Sequence, residues 1–316
     1  MNPPSTIPAV TAHFEYRAGN SPFLLENESE YRQWKSNKLE RYKNVNPVEL
    51  VSVSGHAALS DESLTSLAVQ IRTFNFAIFA TDTPGSTYSI EDFLAFGNQL
   101  GLHRLDASLG ADPDGVTSLS AVDASDHRSR YIPYTPRALN WHTDGYYNPS
   151  SRRIDAFSLY CVRPAPRGGG NFMLDHEMIY MRIRDTDPDL IMALMDPRVM
   201  VVPANIKNDR EIRPAESSPV FLVDRDTGAL NMRYSARPRN IEWKSDDLSR
   251  RAIVLIRELL HDSEDAVELS LQSGQGIVCN NVLHGRTAYV DGTVAETSRL
   301  FYRARYHDAI TFRHSL

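Results

Sequence analysis

The alternation of apolar and polar positions divides the chain early into helix, strand and helix. From Glu26 to Tyr42 nearly every position is polar, with Tyr31, Trp34 and Leu39 as the apolar points. That predicts an exposed helix lying on the body of the protein. A strand-like run, Val48-Glu-Leu-Val-Ser-Val53, follows Pro47. Ser60 then stands as an N-cap with two acids in the first turn, and Leu64, Leu67, Ala68 and Ile71 recur at helical spacing behind it. Phe74-Asn-Phe-Ala-Ile-Phe79 reads as a buried strand. Ser89-Ile-Glu-Asp92 has the form of a capping box opening a second helix through Phe93, Phe96 and Leu100, which Gly101 ends.

Between Gly110 and Arg137 the chain is polar and rich in Gly, Pro, Asp and Ser, which predicts a long loop. Loops of that length in compact domains tend to be functional, and this one leads directly into Trp141-His-Thr-Asp-Gly145, so a role in covering a site is expected. Strand-like runs dominate afterwards: Ala156 to Val162, Asn171 to Leu174, Arg198 to Val202, Pro219 to Val223, Ala229 to Tyr234, Glu268 to Leu271, Gly276 to Cys279 and Arg299 to Tyr306. Asp175 to Met195 reads as helix interrupted near Asp187-Pro188, and Asp246 to His261 as a late amphipathic helix. Many strands with a helical N-terminal layer predict a mainly β protein with flanking helices, an antiparallel sandwich or jelly roll. The expected organisation is an N-terminal arm and helix over residues 1–47 and one jelly-roll domain with helical insertions over residues 48–316.

Composition adds exclusions. With 41% hydrophobic and 23% charged residues, a core of useful size is available, and the net charge of −6 disfavours general nucleic-acid binding. Cys161 and Cys279 imply no disulfide framework and are expected to be buried and reduced. No secretory signal and no apolar run near membrane-spanning length is visible, so the protein reads as cytoplasmic, with no membrane partner.

Candidate chemistry centres on His142 and Asp144. Two residues apart on an extended backbone, they point to one face and can converge on a metal. His284, in Asn281-Val-Leu-His-Gly-Arg286, is a third candidate ligand. Two histidines and one carboxylate with open positions opposite suit non-heme Fe(II). Downstream, Arg299, Phe301, Arg303 and Arg305 share one strand face, where buried guanidiniums need an anion; a dicarboxylate cosubstrate would supply it through a bidentate pair.

These motifs occur in a fixed order: His142-Thr-Asp144, Gly168-Gly-Gly-Asn171, Asn281-Val-Leu-His-Gly-Arg286, Arg299-Leu-Phe-Tyr-Arg303. Over roughly residues 50–310 the chain resembles the taurine dioxygenase (TauD/TfdA) and clavaminate synthase-like family of Fe(II)- and 2-oxoglutarate-dependent oxygenases. The resemblance implies a double-stranded β-helix fold with His142, Asp144 and His284 as iron ligands. It implies Arg299 on the distal carboxylate of 2-oxoglutarate, with Asn171 where the family often has a threonine. Arg303 is similar to an arginine that relatives turn towards substrate, and it rivals Arg299 for the cosubstrate. O2 would complete the reaction, giving succinate, CO2 and an oxidised small-molecule substrate, most simply by hydroxylation. Desaturation, cyclisation or epimerisation are the alternative outcomes on the same cofactors. The carboxylate of Asp144 argues against halogenation, since related halogenases lack it. A homo-oligomer is expected by analogy.

Tyr146, Tyr147 and Asn148 are candidates to line the substrate pocket, and Arg303 and Arg305 hint at an anionic or amino-acid-like substrate. Gly168-Gly-Gly170 lacks the Lys-Ser/Thr of a phosphate loop and reads as a turn. His176 is expected to be a surface or packing residue, and His56, His103, His127 and His307 to be structural. Two other classes compete. A non-redox hydrolase or isomerase on a jelly roll would leave Arg299 without an anion. A binding jelly roll that has lost catalysis would have no use for an intact triad.

Overall fold

The computed structural model describes residues 18–310 apart from 55–57, 84, 86, 107–113, 208 and 238–240. Two main sheets carry the architecture. The strands are β1 (Leu50–Val53), β2 (Phe76–Thr81), β3 (Thr117–Leu119), β4 (Leu139–His142), β5 (Ala156–Arg163), β6 (Asn171–Leu174), β7 (Val267–Leu269), β8 (Gln275–Cys279), β9 (Leu283–Arg286) and β10 (Leu300–Tyr306). A six-stranded sheet runs β1-β2-β8-β5-β10-β3, and a four-stranded sheet runs β7-β6-β9-β4. All pairings are antiparallel except β1 with β2.

Side-chain alternation explains why the two sheets face each other. On β5, Phe157, Leu159 and Cys161 join a core with Ile277, Phe301 and, from the smaller sheet, Met173. The opposite face of β5, with Ala156, Tyr160 and Val162, packs on helices α2 (Asp61–Phe74) and α3 (Ile90–Gln99) through Leu67, Ile71, Phe93 and Phe96. Beyond the four-stranded sheet, Leu174 and Leu283 pack on α1 (Glu28–Asn44), α4 (His176–Thr186), α5 (Pro188–Leu194) and α6 (Asp247–His261). The order is therefore helices, sheet, inner core, sheet, helices.

Local signals were largely legible. Ser60 caps α2 by accepting from Ser63 N, Ser89 and Asp92 form the capping box of α3, and Asp187 caps α5 at the predicted break. The first helix buries Tyr31 and Trp34 as expected, but also Lys38, which no apolar pattern reveals. Cys161 and Cys279 are buried and free, and His176 is a packing residue, its Nε2 3.0 Å from the Leu230 carbonyl. Gly168 and Gly169 both adopt left-handed backbone (φ 77° and 75°), but Gly168 is not simply in a turn: Arg167–Gly168 pairs antiparallel with Tyr289–Val290.

Three expectations need correction. The segment read as a loop from Gly110 to Arg137 contains β3, an edge strand on β10, and two short 3-10 turns at His127–Arg130 and Ile132–Tyr134. Thr117-Ser-Leu119 has no alternating apolar signal, because an edge strand three residues long is held by its backbone. Leu283–Arg286, to which the sequence pattern assigned no element, is a strand of its own, β9, with His284 as its second residue. Asp144 is not on the strand of His142; it follows in the turn beyond β4. The arm as far as residue 17, His56 and residues 110–113 of the loop lie outside the described residues. Among those described, no helix is long and apolar enough to cross a membrane.

Candidate active site

The inner face of the four-stranded sheet brings the sequence candidates together. His284 on β9 opposes His142 at the end of β4, and the two rings lie 4.2 Å apart between centroids. Asp144 reaches them from the turn, its Oδ1 3.8 Å from His142 Nε2. One ligand atom from each of His142, Asp144 and His284 lies within 4.8 Å of the others.

Backbone carbonyls set the imidazole tautomers. His142 Nδ1 donates to Asn140 O and His284 Nδ1 to Val282 O, each at 2.9 Å. Both Nε2 atoms are left as acceptors for a metal, the usual arrangement behind a ligating histidine. Burial lowers the pKa of His142 to about 3, with the neighbouring His284 adding to the effect. Burial likewise lowers that of His284. Burial alone would raise the Asp144 carboxyl, but Arg303 and Arg305, followed by the two histidines, outweigh it and hold the group well below the usual carboxylate range. Two neutral imidazoles and an ionised carboxylate are the protonation states a divalent cation requires. Asp144 Oδ2 is buried without a partner. Donor types, protonation and the orphaned oxygen all fit an iron(II) ion.

Asn281 fixes the turn that delivers Asp144. Its Oδ1 accepts from Asp144 N at 2.8 Å, and its Nδ2 donates to Asp144 O at 3.0 Å and Ile154 O at 2.7 Å. Asn281 itself sits at φ 43°, a left-handed conformation that asparagine tolerates. Gly145 follows the carboxylate at φ 66°, and a Cβ there would overlap Ile154. Reading the sequence did not single out Asn281; its only signal was its place three residues before His284.

The arginines separate into distinct environments. Arg305 pairs with the buried Asp106 and donates to Tyr147 Oη at 3.0 Å, so its charge is taken up within the protein. Arg303 Nη1 lies 3.4 Å from Asp144 Oδ1, at the triad, and its Nε is buried without a partner. Arg299 lies apart from them. Its guanidinium stacks 3.8 Å above the Phe301 ring and 5.3 Å from that of Tyr289, and Nε and Nη1 are buried without partners. Burial, then the charge of Arg286, lowers its pKa to about 10. Asn171 opposes Arg286 across β6 and β9, and its Nδ2 is also buried and unpartnered. Buried donors left without partners are the groups an incoming anion would satisfy. Arg286 was not among the sequence candidates. Its guanidinium lies 4.7 Å from the Tyr289 ring and donates to Thr135 O at 2.8 Å and to Arg137 O, which ties the segment before β4 to β9. Tyr146 is buried and packs edge-on against Tyr147 at 5.2 Å.

Two histidines and a carboxylate gathered at one point, with a buried arginine elsewhere lacking an anion, make the pattern of a metal-dependent oxygenase of the 2-oxoglutarate type, and comparison with known proteins agrees. Residues 41–305 match the taurine catabolism dioxygenase TauD, TfdA family, and the chain belongs to it. It is a dioxygenase that uses iron, 2-oxoglutarate and O2, which sets aside the hydrolase, isomerase and non-catalytic readings. A uridine-5'-phosphate dioxygenase of Streptomyces sp is 28% identical over 254 residues, 76% of this chain and 88% of that protein. One from Amycolatopsis sp is 32% identical over 182 residues, 54% of this chain and 61% of that protein. Among solved structures, an asparagine oxygenase complex with Fe(II), 2S,3S-3-hydroxyasparagine and succinate shares the fold (TM-score 0.53, 16% identity, 81% of this chain and 93% of that chain). So does the non-heme iron oxygenase OrfP in complex with Fe and alpha-ketoglutaric acid (TM-score 0.56, 17% identity, 78% and 80%).

Proposed function

We propose that His142, Asp144 and His284 hold the iron, that Arg299 with Asn171 beside it takes the distal carboxylate of 2-oxoglutarate, and that Arg303 faces the substrate, with Tyr146 on the same side. The reaction is hydroxylation of a C–H bond in an anionic small molecule, with release of succinate and CO2. The two facing sheets are read as the halves of a double-stranded β-helix, or jelly roll. Residues 48–316 are then one domain, preceded by the arm and helix of 1–47, of which the helix Glu28–Asn44 packs on it.

The observation that carries this reading is the Arg299 guanidinium, buried with two nitrogens unpartnered. A buried cation without an anion is costly, and a carboxylate is the planar partner its fork matches. Arg303 is less suited to that role because it already leans on Asp144. When bound, iron with 2-oxoglutarate supplies a two-electron oxidant from O2. The protein's part is to orient both, keep the imidazoles neutral and hold the substrate's C–H bond at the open face. The similarity to two uridine-5'-phosphate dioxygenases favours a phosphate-bearing substrate.

Anaerobic titration of the iron-loaded protein with 2-oxoglutarate tests the assignment through the visible charge-transfer band of the chelate. Arg299→Ala is expected to keep the band but raise the 2-oxoglutarate concentration needed by roughly 10- to 100-fold, the loss of a charge-assisted pair worth about 1.5–3 kcal/mol. If Arg303→Ala has that effect and Arg299→Ala does not, the two arginines exchange roles. A wild-type protein that forms no band would sink the site as drawn.

A further inference from the structure

One cation near the triad is unused by the reading above. The run Tyr234 to Arg237 lies along β4 and the turn beyond it: Thr143 N donates to Tyr234 O at 3.0 Å, Tyr234 N to Thr143 Oγ1 at 3.1 Å, and Ala236 N to Trp141 O at 2.8 Å. Ser235 forms an isolated antiparallel bridge with His142. Opposed residues in such a bridge share a face, and alternation brings Arg237 back to it, on the imidazole side of the ribbon. Arg237 is half-buried. Its charge reaches the site, adding to burial and His284 in lowering the His142 pKa.

Three other arginines are occupied within the protein. Arg305 is paired with Asp106, Arg153 with Asp155 and Asp224, and Arg233 donates to the carbonyls of Tyr146 and Asn148. No carboxylate among the described residues pairs with Arg237.

We propose that Arg237 is a second anchor for the substrate's anionic group and that, with Arg303, it selects a phosphate monoester over a carboxylate. This rests on the reading that the open face of the triad receives an anionic substrate. The charge argument favours phosphate. Arg299 is committed to the cosubstrate and Arg305 to Asp106, which leaves Arg303 and Arg237 as two cations facing the substrate. A carboxylate is satisfied by one guanidinium, whereas a phosphate monoester carries close to two negative charges at neutral pH and offers three acceptor oxygens. Placing one arginine on the Asp144 side and one on the His142 side also aims the substrate across the metal rather than along one wall.

The test uses the intact protein loaded anaerobically with Fe(II) and 2-oxoglutarate, titrated with uridine 5'-phosphate and with uridine while the chelate band is followed. Wild type is expected to bind the phosphate at least tenfold more tightly than the nucleoside. Arg237→Gln should erase most of that preference by weakening the phosphate alone, with uridine affinity and the band in 2-oxoglutarate unaltered; Arg237→Lys should recover part of it. A variant that keeps the wild-type preference overturns the role of Arg237. Wild type that does not prefer the phosphate overturns the substrate class. Absence of the band in wild type, by contrast, would remove the iron and 2-oxoglutarate assignment and this inference with it.

Discussion

At the scale of single residues, the site is legible where chemistry restricts the choice of side chain and silent where geometry alone does. His142, Asp144 and His284 were visible because few residue types serve as metal ligands, and Arg299 because a buried arginine demands an anion. Asn281 was not, since its function depends on a left-handed backbone and on partners at 144 and 154 that only the fold supplies. Gly285 is similar: it separates His284 from Arg286, and a Cβ there would overlap the Phe172 ring and Leu139 O. Asn281→Ala is expected to free the Asp144 turn while leaving all three proposed ligands in the chain. Supporting residues of this kind commonly contribute 10- to 100-fold in metal affinity. Anaerobic Fe(II) titration of Asn281→Ala should show a loss in about that range, and wild-type affinity would mean the turn holds itself.

At the scale of elements, capped amphipathic helices were read nearly to the residue, as were β6 and β8, while the short strands β3 and β4 were not. β3 and β4 each have four residues or fewer and are fixed by neighbours distant in sequence, β10 for one and β9 for the other. The first helix shows another limit. Lys38 appears in the sequence as one more polar position, yet it is fully buried, paired with Asp175 and Glu177, while Tyr42 and Asn75 also donate to Asp175. Asp175 caps α4 directly after β6, so this cluster ties the N-terminal helix to the strand that carries Asn171. Lys38→Met would strand a buried carboxylate, at a cost of about 3–5 kcal/mol. Replacing Lys35, whose pair with Asp185 is partly exposed, should cost less than about 1 kcal/mol. Urea unfolding of the two variants measures the contrast, and equal effects would show that the buried cluster is no anchor.

For the whole molecule, the charge carried by the proposed metal site ties stability to pH. His142 has a folded pKa of about 3 against an ordinary 6.5, and His284 is lowered as well. As pH falls below about 6.5 the unfolded chain takes up protons that the folded protein refuses, so stability present above that value is progressively lost towards pH 3. Asp144, already depressed, adds its loss only in stronger acid. Metal-free protein should therefore melt at a lower temperature at pH 5 than at pH 7, and His142→Gln should flatten that dependence; an unchanged slope would mean the imidazole is not held neutral. The same arrangement has a mechanical side. The proposed ligands come from a strand and turn near residue 142 and from a strand at residue 284, so an ion shared between them closes nearly half the chain into a loop. It would act as a removable cross-link, strengthening the smaller sheet by mass action when loaded and leaving β4 held only by hydrogen bonds and packing when stripped. In such a protein, iron supply governs not only turnover but how long the polypeptide lasts.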